Sequence, residues 1–122
     1  MKKAISISFI IGVLISSCYR DVEELLYPVN GTCDTNNIAY AATVVPILRS
    51  NGCLGCHSGG APSGNISLEG YSNIRIVAQN GKLFGAISHS PGFSPMPQGG
   101  NKMSACNINK IKAWLDAGFP NN

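Results

Sequence analysis

The chain has 122 residues, 44% of them hydrophobic, and nine Lys and Arg against six Asp and Glu give a formal net charge of +3. That length suits one small domain. Two of the nine basic residues, Lys2 and Lys3, belong to a leader, and the seven left against six acidic ones give no argument for nucleic-acid binding.

The leader is the first element. Lys2 and Lys3 precede an apolar run from Ala4 to Ile15, broken by Ser6 and Ser8, which ends in Ile15-Ser16-Ser17-Cys18. This is the layout of a secretory signal peptide over residues 1–17. An ordinary signal cut nearby and an uncleaved anchor are the alternatives. The run is too short for a transmembrane helix, which needs roughly 20 apolar residues. The segment resembles a bacterial lipoprotein signal, in which small residues precede a cysteine that receives lipid. That resemblance implies lipid on Cys18 and a place in the cell envelope, tethered to a membrane on its periplasmic or surface-facing side. Residues 18–36 follow as a flexible tether. They hold Pro28 and Gly31, lack a sustained helical or strand period, and carry a solvated acidic run at Asp21, Glu23 and Glu24.

Residues 37–122 form the domain. "TVVPILRSNGC" predicts a short helix capped by Thr43, with Pro46 in its first turn and Gly52 ending it. A helix starting earlier, near Ile38, would have to bend at Pro46. A turn-rich loop, "SGGAPSGN", comes after His57. "SLEGYSNIRIVAQNG" reads as a helix capped by Ser67 and closed by Gly81, with Leu68, Tyr71, Ile74 and Val77 on one face. A shorter apolar piece, "KLFGAIS", leads into the extended loop "HSPGFSPMPQGGNKM", whose prolines and glycines exclude a regular helix. "SACNINKIKAWLDAGFP" is the clearest helix, capped by Ser104, striped by Ile108, Ile111, Trp114 and Leu115, and stopped by Gly118 and Pro120. No segment reads as a strand. A domain this small buries a modest fraction of its surface and gains from a staple or a large apolar cofactor.

"CLGCH", residues 53–57, carries the chemistry. A structural zinc site wants four ligands, usually from two paired knuckles, and only one such pair exists; Cys33 and Cys106 each stand alone. Thiol–disulfide exchange places CxxC on a strand–helix unit, and no strand is evident before Cys53. The third reading is covalent haem. Cys53 and Cys56 would form thioethers with the two vinyl groups on one side of the porphyrin, and His57 would coordinate the iron. Attachment of this kind takes place outside the bacterial cytoplasm, in agreement with the leader.

"VVPILRSNGCLGCH", "GFSPMP" and "IKAWLDAGFPNN" together resemble the leading helix and haem motif, the distal methionine loop and the closing helix of small bacterial cytochrome c domains. The resemblance covers residues 38–122, and the tether "CYRDVEELLYP" is similar to that of lipoprotein members. It implies an all-α, class I-like cytochrome c fold, with three to five short helices and long loops around one covalent haem c. It also implies an electron carrier rather than an enzyme, working between redox donor and acceptor proteins of the envelope. A peroxidase-like enzyme, a ligand sensor, or an electron-transfer subunit of a larger oxidoreductase are the alternatives. A peroxidase needs an acid–base residue beside an open site, and His89 is the only other histidine. Its plainer reading is a loop histidine bonded to backbone or to a haem propionate. Lys82 and Lys102 flank the distal loop as steering or merely solvated charges.

Three side chains compete for the far face of the iron: His89, Met96 and Met103. Met96 is preferred, because Pro95 and Pro97 restrict the backbone around it and a thioether suits low-spin haem iron. With Cys18 on lipid and Cys53 and Cys56 on haem, two cysteines remain. In an oxidising compartment Cys33 and Cys106 are expected to pair; two buried free thiols are the alternative.

Overall fold

The computed structural model describes residues 33–122, and Cys33–Asn122 forms one compact unit. The leader, Cys18 and the tether as far as residue 32 lie outside the described residues.

Pro46 shapes the start of the first helix. The chain becomes helical at Tyr40, ahead of Thr43, through a single π turn, Tyr40–Val44, that runs directly into α1, Val45–Ser50. In that turn Val44 N–H donates to Ala39 O (3.2 Å) and Val45 N–H to Tyr40 O. Pro46 has no N–H to give, and the wider turn comes just before it. Thr43 is therefore inside the helical run and caps nothing. α1 ends on Asn51, whose side-chain amide donates to Ile47 O (2.8 Å). Gly52 then takes a left-handed conformation, φ 72°, and starts the one-turn helix α2, Cys53–Cys56.

A short 3₁₀ turn, Ser63–Asn65, precedes α3, Tyr71–Gln79, and α4, Lys82–Ile87, follows after Gly81. Ser67 does not cap α3: its hydroxyl accepts from Glu69 N–H (3.2 Å), and Gly70 occupies the cap position without a side chain. Gly70 has φ 80° and ψ 154°, a geometry open to glycine alone, and this delays the helix until Tyr71. Leu68 is still buried, although it lies before the helix. α5, Ala105–Asp116, has the expected cap, with Ser104 Oγ accepting from Asn107 N–H (3.2 Å). Its far end closes as a Schellman turn: Gly118 N–H donates to Leu115 O (2.9 Å) and Phe119 N–H to Trp114 O (2.9 Å).

Among the described residues every regular element is helical, so the architecture is all-α. The core gathers Val44 and Leu48 from the first helix, Ile74 and Val77 from α3, Leu83 and Ile87 from α4, and Ile108, Ile111 and Trp114 from α5. α3 packs on α4, α4 on α5, and α5 on the π turn. An aromatic cluster lies between the first helix and the chain's end. Tyr40 is 5.3 Å from Tyr71 and 5.9 Å from Trp114, and Trp114 is 6.1 Å from Phe119, centroid to centroid. Four hydrogen bonds fasten the last residues there. Tyr71 Oη donates to Phe119 O and Trp114 Nε1 to Pro120 O, while Tyr40 and Ala41 N–H donate to Asn122 Oδ1 and O, each at 2.9 Å.

Cys33 and Cys106 are bonded, with Cα atoms 5.5 Å apart across 73 residues of sequence. The bond joins the first described residue to the first turn of α5. In the chain-entropy view a loop of that length contributes up to about 4 kcal/mol. Cross-links formed within the loop by a covalent cofactor would lower the figure. Cys33→Ser with Cys106→Ser is expected to lower the urea midpoint by a margin that dithiothreitol reproduces in the wild-type protein and does not enlarge in the double variant. Coincident midpoints for wild type and double variant would contradict this.

Candidate functional site

α2 brings two thiols to one turn. Residues three apart are neighbours on a helix surface, so Cys53 and Cys56 stand beside each other, both as free cysteines. Cys53 and Leu54 pack against the core, while Cys56 is exposed. Burial pushes the Cys53 thiol above its ordinary value, against a smaller lowering by a hydrogen bond from its own backbone and with the neighbouring Cys56 adding slightly to the rise. An exchange-active CxxC needs the opposite, a thiol pKa depressed toward neutrality. The strand that such a motif sits beside is also missing among the described residues.

His57 follows on the same turn, its N–H donating to Cys53 O (3.0 Å). Residues 66–68 hold it from the other side. Leu68 N–H donates to His57 O (2.7 Å), and His57 Nδ1 lies 2.9 Å from Ile66 O. A carbonyl can only accept, so Nδ1 carries the proton in that bond. In the neutral ring Nε2 then keeps its lone pair and is the nitrogen open to a metal.

The staple weighs against a four-cysteine zinc site, since Cys33 and Cys106 are bonded to each other. No three His, Cys, Asp or Glu side chains converge on a metal position among the described residues.

Met96 is in a separate loop, half-buried, and its backbone is held at both polar groups. Its N–H donates to Ala86 O (3.1 Å) near the end of α4, and its carbonyl accepts from His89 Nε2 (3.0 Å). Met103 sits inside the hydrophobic core, 5% exposed. Lys82 and Lys102 are exposed. The site residues thus form three groups: Cys53, Cys56 and His57 on one turn, Met96 with His89 on the loop after α4, and the Cys33–Cys106 bond at the start of α5.

Comparison with family models, with curated proteins and with solved structures finds no match for this chain. Its functional reading therefore rests on its own residues. Among the described residues no helix is long and apolar enough to cross a membrane.

Three contributors to the site escaped the sequence reading. The carbonyls of Ile66 and Ala86 are backbone acceptors, and no residue pattern announces them. The third is Gly85, which lies under the Phe93 ring; a Cβ there would overlap ring carbons. The one available signal was a glycine inside the apolar piece "KLFGAIS", where any helix would pay an entropic penalty for it.

Proposed function

We propose that this chain is a single-haem electron carrier of class I-like cytochrome c fold, held at an envelope membrane by lipid on Cys18. The observation that carries the reading is the state of His57. Its ring is fixed through Nδ1, leaving Nε2 available, on the same turn as two free and adjacent thiols. That donor set fits covalent haem: each thiol can add across one vinyl group, S–H to C=C, and the imidazole directly after the second cysteine can ligate the iron. Haem iron supplies one-electron exchange between its ferrous and ferric states.

The chain's own residues set how that exchange proceeds. Cys53 and Cys56 fix the macrocycle to the backbone beside its ligand. The Ile66 carbonyl orients the His57 ring and fixes its tautomer. Met96 would supply the iron's second protein ligand in this reading. With His57 and Met96 both bound, the iron would offer oxygen and peroxide no open site, and the thioether would raise the reduction potential relative to a second nitrogen ligand. His89 Nε2 is engaged by the Met96 carbonyl, which weighs against a free distal base of the peroxidase kind. The lipid tether raises the local concentration of the domain near membrane-bound donors and acceptors. Exposed Lys82 and Lys102 flank the methionine loop in sequence and suit an acidic redox partner.

Protein expressed with haem-maturation machinery is expected to show the sharp visible bands of a reduced c-type haem. Absence of those bands overturns the reading. In the oxidised protein a weak band at the red end, due to the sulfur–iron bond, is expected to vanish in Met96→Ala while the covalent haem is retained. Its survival in that variant removes Met96 from the ligand set.

A further inference from the structure

We infer that His89 is the positioning residue for Met96, acting through the Met96 carbonyl; this rests on the haem reading above. The loop after α4 has no regular structure of its own between Ser88 and Ser104, so something must hold a ligand within it. The last carbonyls of a helix have no intrahelical partner, and α4 spends them on this loop. Gly85 O accepts from Ser90 N–H (2.9 Å), while Ala86 O accepts from both His89 N–H (3.2 Å) and Met96 N–H (3.1 Å). The ends of the segment from His89 to Met96 are thereby gathered on one carbonyl.

His89 adds the second clamp. It has φ 55°, the left-handed region that a residue with a Cβ occupies only at a cost. Strain of this kind persists only where surrounding contacts impose it. Here the strained residue delivers its ring to the Met96 carbonyl, Nε2 at 3.0 Å. Because a carbonyl only accepts, Nε2 is the donor. That nitrogen has no lone pair left for iron, so His89 supports Met96 rather than competing with it. Phe93, within the loop, packs its ring back onto α4 across Gly85. Met96 is therefore bonded on its N–H side to the helix and on its C=O side to His89.

A thioether is a replaceable ligand, and its hold on iron depends on how far the loop keeps it in place. Losing one hydrogen bond of ordinary strength should ease its displacement by between a few-fold and about tenfold. The test uses the oxidised holoprotein, titrated with imidazole while the red sulfur–iron band is followed. His89→Ala is expected to raise the affinity for imidazole by that factor. His89→Gln, which keeps a side-chain N–H donor, is expected to restore part of the difference. A purely structural role would lower the unfolding temperature of both variants without separating their imidazole affinities. Equal affinities in wild type and His89→Ala overturn the inference and leave the haem reading intact. Equal weakening in His89→Ala and His89→Gln overturns it as well, since the donor would then not matter. Oxidised wild-type protein that lacks the band, with a ligation spectrum changed by His89→Ala and unchanged by Met96→Ala, would make His89 the ligand and overturn the inference. Wild-type protein without c-type bands would remove both the haem reading and the inference.

Discussion

Cys53→Ala combined with Cys56→Ala is expected to leave no covalently bound pigment: the haem stain that the proposed function predicts for the wild-type band on a denaturing gel should disappear, and acidified acetone should extract any haem that remains. The two thiols are the only free cysteines among the described residues, because Cys33 and Cys106 are bonded to each other. No other described thiol can take over either linkage. Single substitutions should behave differently. One thioether still holds the macrocycle, so Cys53→Ala and Cys56→Ala each keep a stained band, with the visible maximum moved by the unsaturated vinyl group. The burial of Cys53 against the core, beside an exposed Cys56, implies that Cys53→Ala also loosens the turn, while Cys56→Ala leaves the fold closer to wild type. A stained double variant would mean that the motif is not the attachment point. Stoichiometric zinc in an unpigmented wild-type protein would replace the haem reading with the one that the disulfide now disfavours.

Trp114→Ala is expected to be the most damaging single substitution in the core. The indole is fully buried, 0% exposed, at the meeting of the first helix, α5 and the chain's end. Large-to-small changes of this type cost about 3–5 kcal/mol, and domains of this class have only about 5–15 kcal/mol in total. The loss has three parts. The ring leaves a cavity between Tyr40 and Phe119. The ring's tilted contact with Tyr40 and its edge contact with Phe119 disappear. The Pro120 carbonyl loses its indole donor, and with it part of the lock on residues 119–122. Trp114→Phe keeps the first two contributions in part and should fall between. Lys112→Ala is the control: its ion pair with Asp116 is exposed and four residues along the same helix, worth a few tenths of a kcal/mol at most. Urea unfolding followed by circular dichroism measures all three. A Trp114→Ala midpoint matching that of Lys112→Ala would contradict the assigned role.

What the sequence made legible was local. α5 could be read almost completely, because its cap, its apolar stripe and its closing glycine are all carried by residues that act on their immediate neighbours. The cap at Ser104 and the buried set Ile108, Ile111 and Trp114 need no distant partner to be identified. The elements read less well were those completed from far away. Tyr40 begins the first helix because Asn122, 82 residues along the chain, accepts its N–H; from the sequence Thr43 was the better cap. Ser67 had the right chemistry for capping α3 but was drawn into a turn with Glu69, and the geometry of Gly70 overruled it. The site divides in the same way. The spacing of Cys53, Cys56 and His57 is a pattern of adjacent residues and was visible at once. The groups that orient the ring and the methionine loop are carbonyls of Ile66, Ala86 and Met96, which every residue possesses and no pattern distinguishes.

The bonds from Asn122 to Tyr40 and Ala41 also fix an order of events. Those two N–H groups begin the helix that leads into "CLGCH", and they stay without their native acceptors until residue 122 has emerged. On the proposed envelope reading, a chain exported from its N-terminus would present its cysteines and His57 before the domain can close behind them. If haem is attached there, that interval is when a maturation enzyme would reach both thiols. Once the final residues dock beside Trp114 and Tyr71, the first helix is capped and that window shuts.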